Sequence, residues 1–403
     1  MRIILFFCMV IFLQAQNLEI VKYVTNQNPK IVVEYNNLPL KFKKELNLDA
    51  TIVAHYTISI KGHIADITSN INANNYKGYN YLLRLDYQNN VLTAILYNLL
   101  QQKVVLYKKY KIPRENVYPF MIHALTYDIN SKLGFAPIPW IKKKIVYSIY
   151  MAPKEEAIFL ADITLRYRKK IISGGLNIFP KWANKEQSEI YYTKLANYPI
   201  LYKYNIYTGK KEKVFSSKGM LIVSDVDKRD NKLLVTLAIN DQPDVYEFFP
   251  KTKQIKRLTN FPGIDVNGQF YGKDKIVFIS NRLGYPNVYQ KDLDTNKVSR
   301  LIYYGKNHIS VAVNGNKVAV STRETNKAFD NNTFNILLLH KNSNQVKRLT
   351  FSGKNMLPVF SEDGSTIVFI KQYKYSSKLG IIRLNENKVY YIKINREIES
   401  FDF

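Results

Sequence analysis

The hydrophobic and polar positions along the chain follow two different rhythms, and the change comes near residue 140. Before it the pattern is mixed. Apolar-rich runs mark strands at Leu18–Val24 (LEIVKYV) and Lys30–Tyr35 (KIVVEY). Three further runs between Tyr81 and Ile112 predict a meander with turns at Asn89-Asn90 and Gln101-Gln102. Met121, Leu125, Ile129 and Leu133 then recur every fourth residue, with Pro119 tolerable in a first turn and Gly134 where a left-handed cap belongs. That spacing predicts one helix on a small sheet, an α+β N-terminal domain over 16–134. FAPIPW, Phe135–Trp140, opens a stiff junction over 135–144.

Beyond the junction the pattern repeats. Short apolar runs begin at Ile145, Ile190, Leu233, Ile276, Val318 and Ile367, spaced 45, 43, 43, 42 and 49 residues. Each is followed by a second strand such as NVYQKDLDTN, a third such as QIKRLT, KVSRLI or QVKRLT, and a Gly-containing loop into a further strand such as NIFPKW or MLPVF. Four strands per 40 to 50 residues is the signature of a β-propeller blade. The run at Ile145 lacks an inner strand before it, whereas IESFDF, Ile398–Phe403, falls where NIFPKW falls in its own repeat. The pattern therefore predicts an all-β six-bladed propeller over 145–403, closed by the C-terminal strand.

Composition changes this picture at the N-terminus. Arg2 precedes the apolar run Ile3–Leu13, too short to span a bilayer, and then Gln14 and Ala15, so residues 1–15 read as a secretory signal peptide. The single cysteine, Cys8, lies within it, which suits an exported protein without disulfides. The 59 Lys and Arg against 32 Asp and Glu leave a formal charge of +27. The lysines are scattered rather than striped, and with the export signal this disfavours nucleic acid while leaving an anionic envelope surface open.

The sequence predicts no catalytic, cofactor or metal site. The histidines, at 55, 63, 123, 308 and 340, are dispersed, and no cluster has metal-ligand spacing. No Gly-x-Ser-x-Gly elbow is present. Carboxylate pairs exist at Glu155/Glu156, Asp225/Asp227 and Asp292/Asp294, whereas a glycosidase needs two carboxyls facing each other across roughly 5 to 10 Å. Asp292 and Asp294 read as turn formers, and Tyr202, Tyr246 and Tyr289 as blade core. A binding platform remains. In a propeller the connections from each outer strand to the next inner strand gather on one face. Here they contain Lys218, Gly219, Asp265, Lys306, Asn307, Lys354, Asn355, Arg396 and Glu397. The connections between second and third strands share that face and contain Arg282, Tyr285 and Glu324.

Two segments carry a family resemblance. LPVFSEDGSTIVFI (Leu357–Ile370) and ISNRLGYPNVYQKDLDTNKVSRL (Ile279–Leu301) resemble the propeller repeats of the TolB family, periplasmic components of the Tol-Pal cell-envelope system. HALTYDINSKLG (His123–Gly134) is similar to the end of that family's N-terminal domain, and LEIVKYV to its first strand. Only Ser361, Asp363 and Gly364 keep the family's Ser-x-Asp-Gly turn, which marks a divergent member. The resemblance implies a monomeric, non-enzymatic adaptor without cofactor that supports outer-membrane integrity and constriction at division. It would bind the lipoprotein Pal on the propeller face and the inner-membrane protein TolA through the N-terminal strand, Leu18, Glu19, Ile20, Val21, Lys22 and Tyr23. The competing reading is an exported propeller hydrolase or carbohydrate-binding enzyme with its site at the channel mouth. Opposed acids projecting into the channel would favour it.

Overall fold

A computed structural model describes residues 28–228, 232–324, 333–340 and 345–403, so the expected strand Leu18–Val24 lies outside the described residues. By internal contact the chain divides into two units. The first comprises the described residues up to Lys111 with Lys132–Phe135, the second Ile112–Ser131 and Ala136–Phe403.

In the first unit a five-stranded sheet runs in the order Thr57–His63, Lys30–Asn36, Tyr81–Gln88, Val91–Asn98, Lys103–Lys111. The first two pairings are parallel and the last two antiparallel. Asn89 and Asn90, with φ of 49° and 62°, make the tight turn that two adjacent left-handed residues favour in a hairpin. Leu40–Val53 forms a helix that the apolar pattern did not announce. Phe42, Leu46, Ala50 and Val53 are buried, but Lys43, Lys44 and Asn47 dilute the stripe and no side chain caps the start. Glu34 is buried in the sheet and satisfied by Arg84 Nε at 3.2 Å and the Tyr76 hydroxyl at 2.8 Å.

The predicted helix is present as Tyr118–Lys132, and up to Ser131 it belongs to the second unit. Its His123 reaches the strand Glu155–Asp162, with Nε2 3.1 Å from Asp162 Oδ2. Asp162 also accepts from the backbone N–H of Thr164 (2.7 Å) and Tyr167 (2.6 Å). Burial pushes this carboxyl up, yet those bonds outweigh it and hold it below the ordinary carboxylate value.

The rest of the unit is predominantly antiparallel sheet and propeller-like. Each apolar run of the repeat lies in a strand with mostly buried side chains: Lys144–Ala152, Glu189–Leu195, Lys232–Ile239, Lys275–Ser280, Lys317–Arg323 and Thr366–Gln372. Two sheets have four strands in sequence order, Leu221–Asp227 through Gln254–Arg257 and Asp265–Phe270 through Val298–Arg300. Single parallel contacts, Glu156 to Leu176 and Phe334 to Lys354, join the remaining strands into two larger sheets. Apolar clusters fill the space between successive sheets, as where Tyr191 and Leu201 meet Val223, Val235 and Phe248. The strand Ile398–Asp402 pairs antiparallel with Lys144–Ala152, setting Ser400 opposite Ser148 and Phe401 opposite Tyr147.

Candidate binding face and channel

A cavity of about 880 Å³ lies in the second unit. Its wall takes Phe179, Ile222, Asn267, Ser310, Leu357 and Phe401, one from each first strand of the repeat, counting Ile398–Asp402 among them. Three wall residues that are not glycine, Phe179, Asn267 and Leu357, have φ of 53°, 55° and 54°, and each sits where its strand slips register against the next. Their N–H groups are caught by hydroxyls: Phe179 by Ser400 (2.9 Å), Asn267 by Thr236 (3.2 Å) and Leu357 by Ser310 (3.0 Å). Each bulge is thereby tied to a strand of another repeat.

Two acids on the wall serve the same end. Asp402 accepts from Trp182 N–H at 2.8 Å and pairs with Lys181 Nζ at 3.2 Å. Asp225 accepts from Phe270 N–H and Val226 N–H, both at 2.8 Å. Burial pushes Asp225 up, and those bonds together with Lys181 oppose the shift only in part. In the sequence Asp225 stands paired only with Asp227, because the cross-strand partner that makes this stitch, Phe270, lies in another repeat. Asp292, by contrast, is the turn former it was expected to be, accepting from Thr295 N–H at 2.9 Å.

The expected loop residues divide into an outer and an inner group. Lys218, Lys306, Lys354 and Arg396 are exposed, and each precedes or opens a strand that lines the cavity. Lys306 Nζ stands 5.6 Å from the Tyr285 ring. Asn307, half-buried, has a φ of 51°. Gly219 leaves no room for a side chain, since a Cβ there would lie 2.1 Å from the Ala238 carbonyl oxygen. Glu397 meets Gln372.

Asp265, Glu324 and Asn355 belong to the inner group. Arg282 grips both oxygens of buried Asp265 at 3.1 and 3.0 Å, and its guanidinium lies 4.9 Å from the Tyr289 ring and 5.2 Å from that of Phe278. Burial raises Asp265 against the pull of Ser280 and Arg282. Glu324 is held by Arg348 at 2.8 and 3.1 Å and by the Tyr304 hydroxyl at 2.7 Å. Burial pushes Glu324 up, but these bonds win and keep it below the ordinary value. Asn355 donates to the carbonyls of Phe334 and Ser352, each at 2.9 Å. These three brace the loops from inside, while the lysines and Arg396 supply the surface.

The same bracing recurs through the RL motif of the third strands. Arg257 pairs with Asp244, Arg300 Nη2 donates to Asn287 at 3.0 Å, and Arg348 takes Glu324 beside Asn335. Thr259 and Thr350 cap the neighbouring strands, accepting from Val245 N–H at 3.0 Å and Ile336 N–H at 2.9 Å.

A family model described as "TolB beta propeller domain" matches residues 142–393. The chain belongs to the TolB family. "Tol-Pal system protein TolB" of Wolinella succinogenes is 37% identical over 409 residues, spanning 98% of this chain and 97% of its own. The Campylobacter jejuni protein of the same name is 44% identical over 290 residues, 71% of each chain. Among solved structures, TolB from Acinetobacter baumannii superposes with a TM-score of 0.78 at 21% identity, covering 94% of this chain and 96% of that one, which speaks for the fold. In this TolB-family chain the Ser-x-Asp-Gly turn keeps its geometry. Gly364 has a φ of 64°, its N–H donates to the Ser361 carbonyl at 2.8 Å, and Asp363 accepts from Ser365 N–H at 3.2 Å. Among the described residues no helix is long and apolar enough to cross a membrane.

Proposed function

We propose that this chain is the periplasmic, non-enzymatic TolB adaptor of a Tol-Pal system, supporting outer-membrane integrity and constriction at division. It binds Pal on the loop face of a six-bladed propeller closed by the C-terminal strand, and TolA through Leu18–Val24. Near full-length relatives named for that system support the assignment of system. The pairing of Ile398–Asp402 with Lys144–Ala152, and the shared cavity wall, support six blades and a non-covalent closure.

One observation carries the adaptor reading. Of the acids lining the cavity, Asp225 and Asp402 are taken up by backbone N–H groups of a neighbouring strand, Glu362 pairs with Lys143 and Lys185, and Asp227 is not free either, while exposed cations rim the strands' starts. A hydrolytic pair would need its carboxyls free to face a substrate.

Reversing Lys306 or Lys354 to Glu is expected to weaken Pal binding by more than about fivefold each, the scale of about 1 kcal/mol or more for a charge contact near an interface centre. Calorimetric titration of the lipid-free Pal domain reads this directly. Unchanged affinity in both variants, with loss on substituting the opposite face, would place Pal elsewhere. Deleting residues 16–25 is expected to abolish TolA capture and leave the propeller's melting transition in place, since strand addition at a sheet edge depends on the backbone of the added segment. TolA captured equally by the shortened chain would refute that route.

A further inference from the structure

The last sheet of the repeat carries a row of like charges. Lys371, Lys378 and Lys393 stand directly opposite one another across the strands Thr366–Gln372, Ser377–Arg383 and Lys388–Ile394. Directly opposed residues project on one side of a sheet, with neighbouring strands about 4.8 Å apart. Like charges so placed repel, and any one of them replaced by Glu would form a favourable cross-strand pair. Among the described residues no carboxylate pairs with any of the three. Their nearest recorded partners are a hydroxyl and aromatic rings. Lys371 Nζ donates to Ser352 Oγ at 3.1 Å and lies 5.4 Å from the Tyr391 ring. Lys378 Nζ lies 5.3 Å from the Tyr373 ring and 6.0 Å from that of Tyr391.

The aromatic flanks are built in as well. Phe369, Gly380 and Tyr391 are in register one step along the same side. Gly380 is required there, because a Cβ would lie 2.2 Å from the Phe369 ring. Tyr391 accordingly packs edge-on to Phe369, at 5.9 Å between centroids, and its ring stands beside the lysine row. At the other end the hairpin after Gln372 presents Tyr373, Lys374 and Tyr375, the last 77% exposed, with Lys374 Nζ 5.1 Å from the Tyr375 ring. Phe351, 66% exposed, adjoins Ser352, which anchors Lys371.

We propose that this patch docks the protein on an anionic phospholipid surface. Lys393 is exposed and Lys371 and Lys378 are half-buried, at the open end of a side whose inner part, with Ile367, Phe369 and Ile382, packs on neighbouring strands. Lysines in a row without a carboxylate partner match a plane of phosphates, and about 1 kcal/mol per basic residue is the usual gain near such a surface. Exposed Tyr375 and Phe351 beside them have the amphipathic and apolar character that settles at the headgroup level. The chain's formal charge of +27 strengthens attraction from a distance. The patch adjoins the loop residues assigned to Pal, with Asn355 opposite Lys371 and Glu397 against Gln372, but shares none of them; a vesicle assay without Pal or TolA lets the two readings fail separately.

The test is cosedimentation of the full mature chain with vesicles of phosphatidylcholine alone and with phosphatidylglycerol added. Binding is expected only with the anionic lipid and is expected to fall as salt is raised. The triple variant K371Q/K378Q/K393Q should lose on the order of a hundredfold in affinity, about fivefold per lysine. K169Q/K170Q/K213Q, which removes the same charge from exposed outer strands elsewhere, should lose far less. A second readout is independent of lipid: Lys378→Glu should raise the melting temperature by relieving the repulsion. Absence of vesicle binding, or equal loss in both triple variants, would overturn the proposal. So would a chain that ignores vesicles but loses capture of an acidic protein through K371Q/K378Q/K393Q, which would make the patch a protein site.

Discussion

A chain lacking residues 398–403 is expected to melt far below the intact protein and to become insoluble or protease-sensitive. Ile398, Phe401 and Phe403 are 2%, 4% and 8% exposed. At roughly 1.5 to 3 kcal/mol for each large apolar side chain buried, they contribute about 5 to 9 kcal/mol as an upper estimate. That is comparable with the whole stability of a typical domain, about 5 to 15 kcal/mol. The polar losses add to it. Asp402 would no longer hold Trp182 N–H, and Ser400 would release both Phe179 N–H and the Ser148 hydroxyl at 2.8 Å. Lys144–Ala152 would become an open sheet edge, a template for aggregation. Thermal melting with limited proteolysis measures the effect. An unchanged melting temperature would show the terminus to be a tail and remove the support for a closed ring. Phe401→Ala alone should cost about 3 to 5 kcal/mol, the range for truncating a buried aromatic.

The second large effect is expected from acid. His308 is 1% exposed and neither ring nitrogen has a hydrogen-bond partner among the described residues. Burial, and secondarily Arg300, pushes its pKa down from 6.5 to about 4. Between those two values the unfolded chain binds a proton that the folded chain refuses. Stability is therefore full above pH 6.5 and falls as pH drops toward 4, by about 3 kcal/mol over the window. Glu156 works in the opposite sense. Burial, then Glu399, raises it to about 7, so its contribution is present at low pH and lost as pH rises from 4.5 to 7. Glu156 is only half-buried, and solvent screening makes its effect the smaller. Urea titrations between pH 4 and 8 separate the two. His308→Leu should flatten the acid limb and be neutral or stabilising near pH 5, because no bond is lost. An acid limb that persists in that variant would assign the sensitivity to other groups.

The strands of the repeat were legible because each buries a short, β-branched, apolar run at a nearly constant interval, as IVYS, IYYT and IVFIS do within their strands. Turns were legible where chemistry is local, as at Asn89-Asn90 and at Asp363-Gly364. The helix Leu40–Val53 was not, since its apolar positions are diluted by lysines and its end is β-branched. In the candidate site the limit has another origin. Lys306 and Lys354 declare themselves as exposed loop cations, but nothing local separates them from Glu324 or Asp265. Those two are interior because Arg348 and Arg282 come to them, from 24 and 17 residues away. Asp402 meets its Trp182 partner across 220 residues. A pattern read along the chain sees residue types, and the burial of a charge is decided by its partner's position.

The bulges on the channel wall bear on how such a protein can vary. A left-handed backbone costs an ordinary residue roughly 1 to 2 kcal/mol, which normally reserves the position for glycine. At Phe179, Asn267 and Leu357 a hydroxyl from another repeat fixes the backbone from outside, and an aromatic, an amide and an aliphatic side chain occupy equivalent places. Conformation there is uncoupled from residue identity. A lineage keeping Ser400, Thr236 and Ser310 can rewrite the lining of its cavity, from greasy to polar, without redrawing the strands around it.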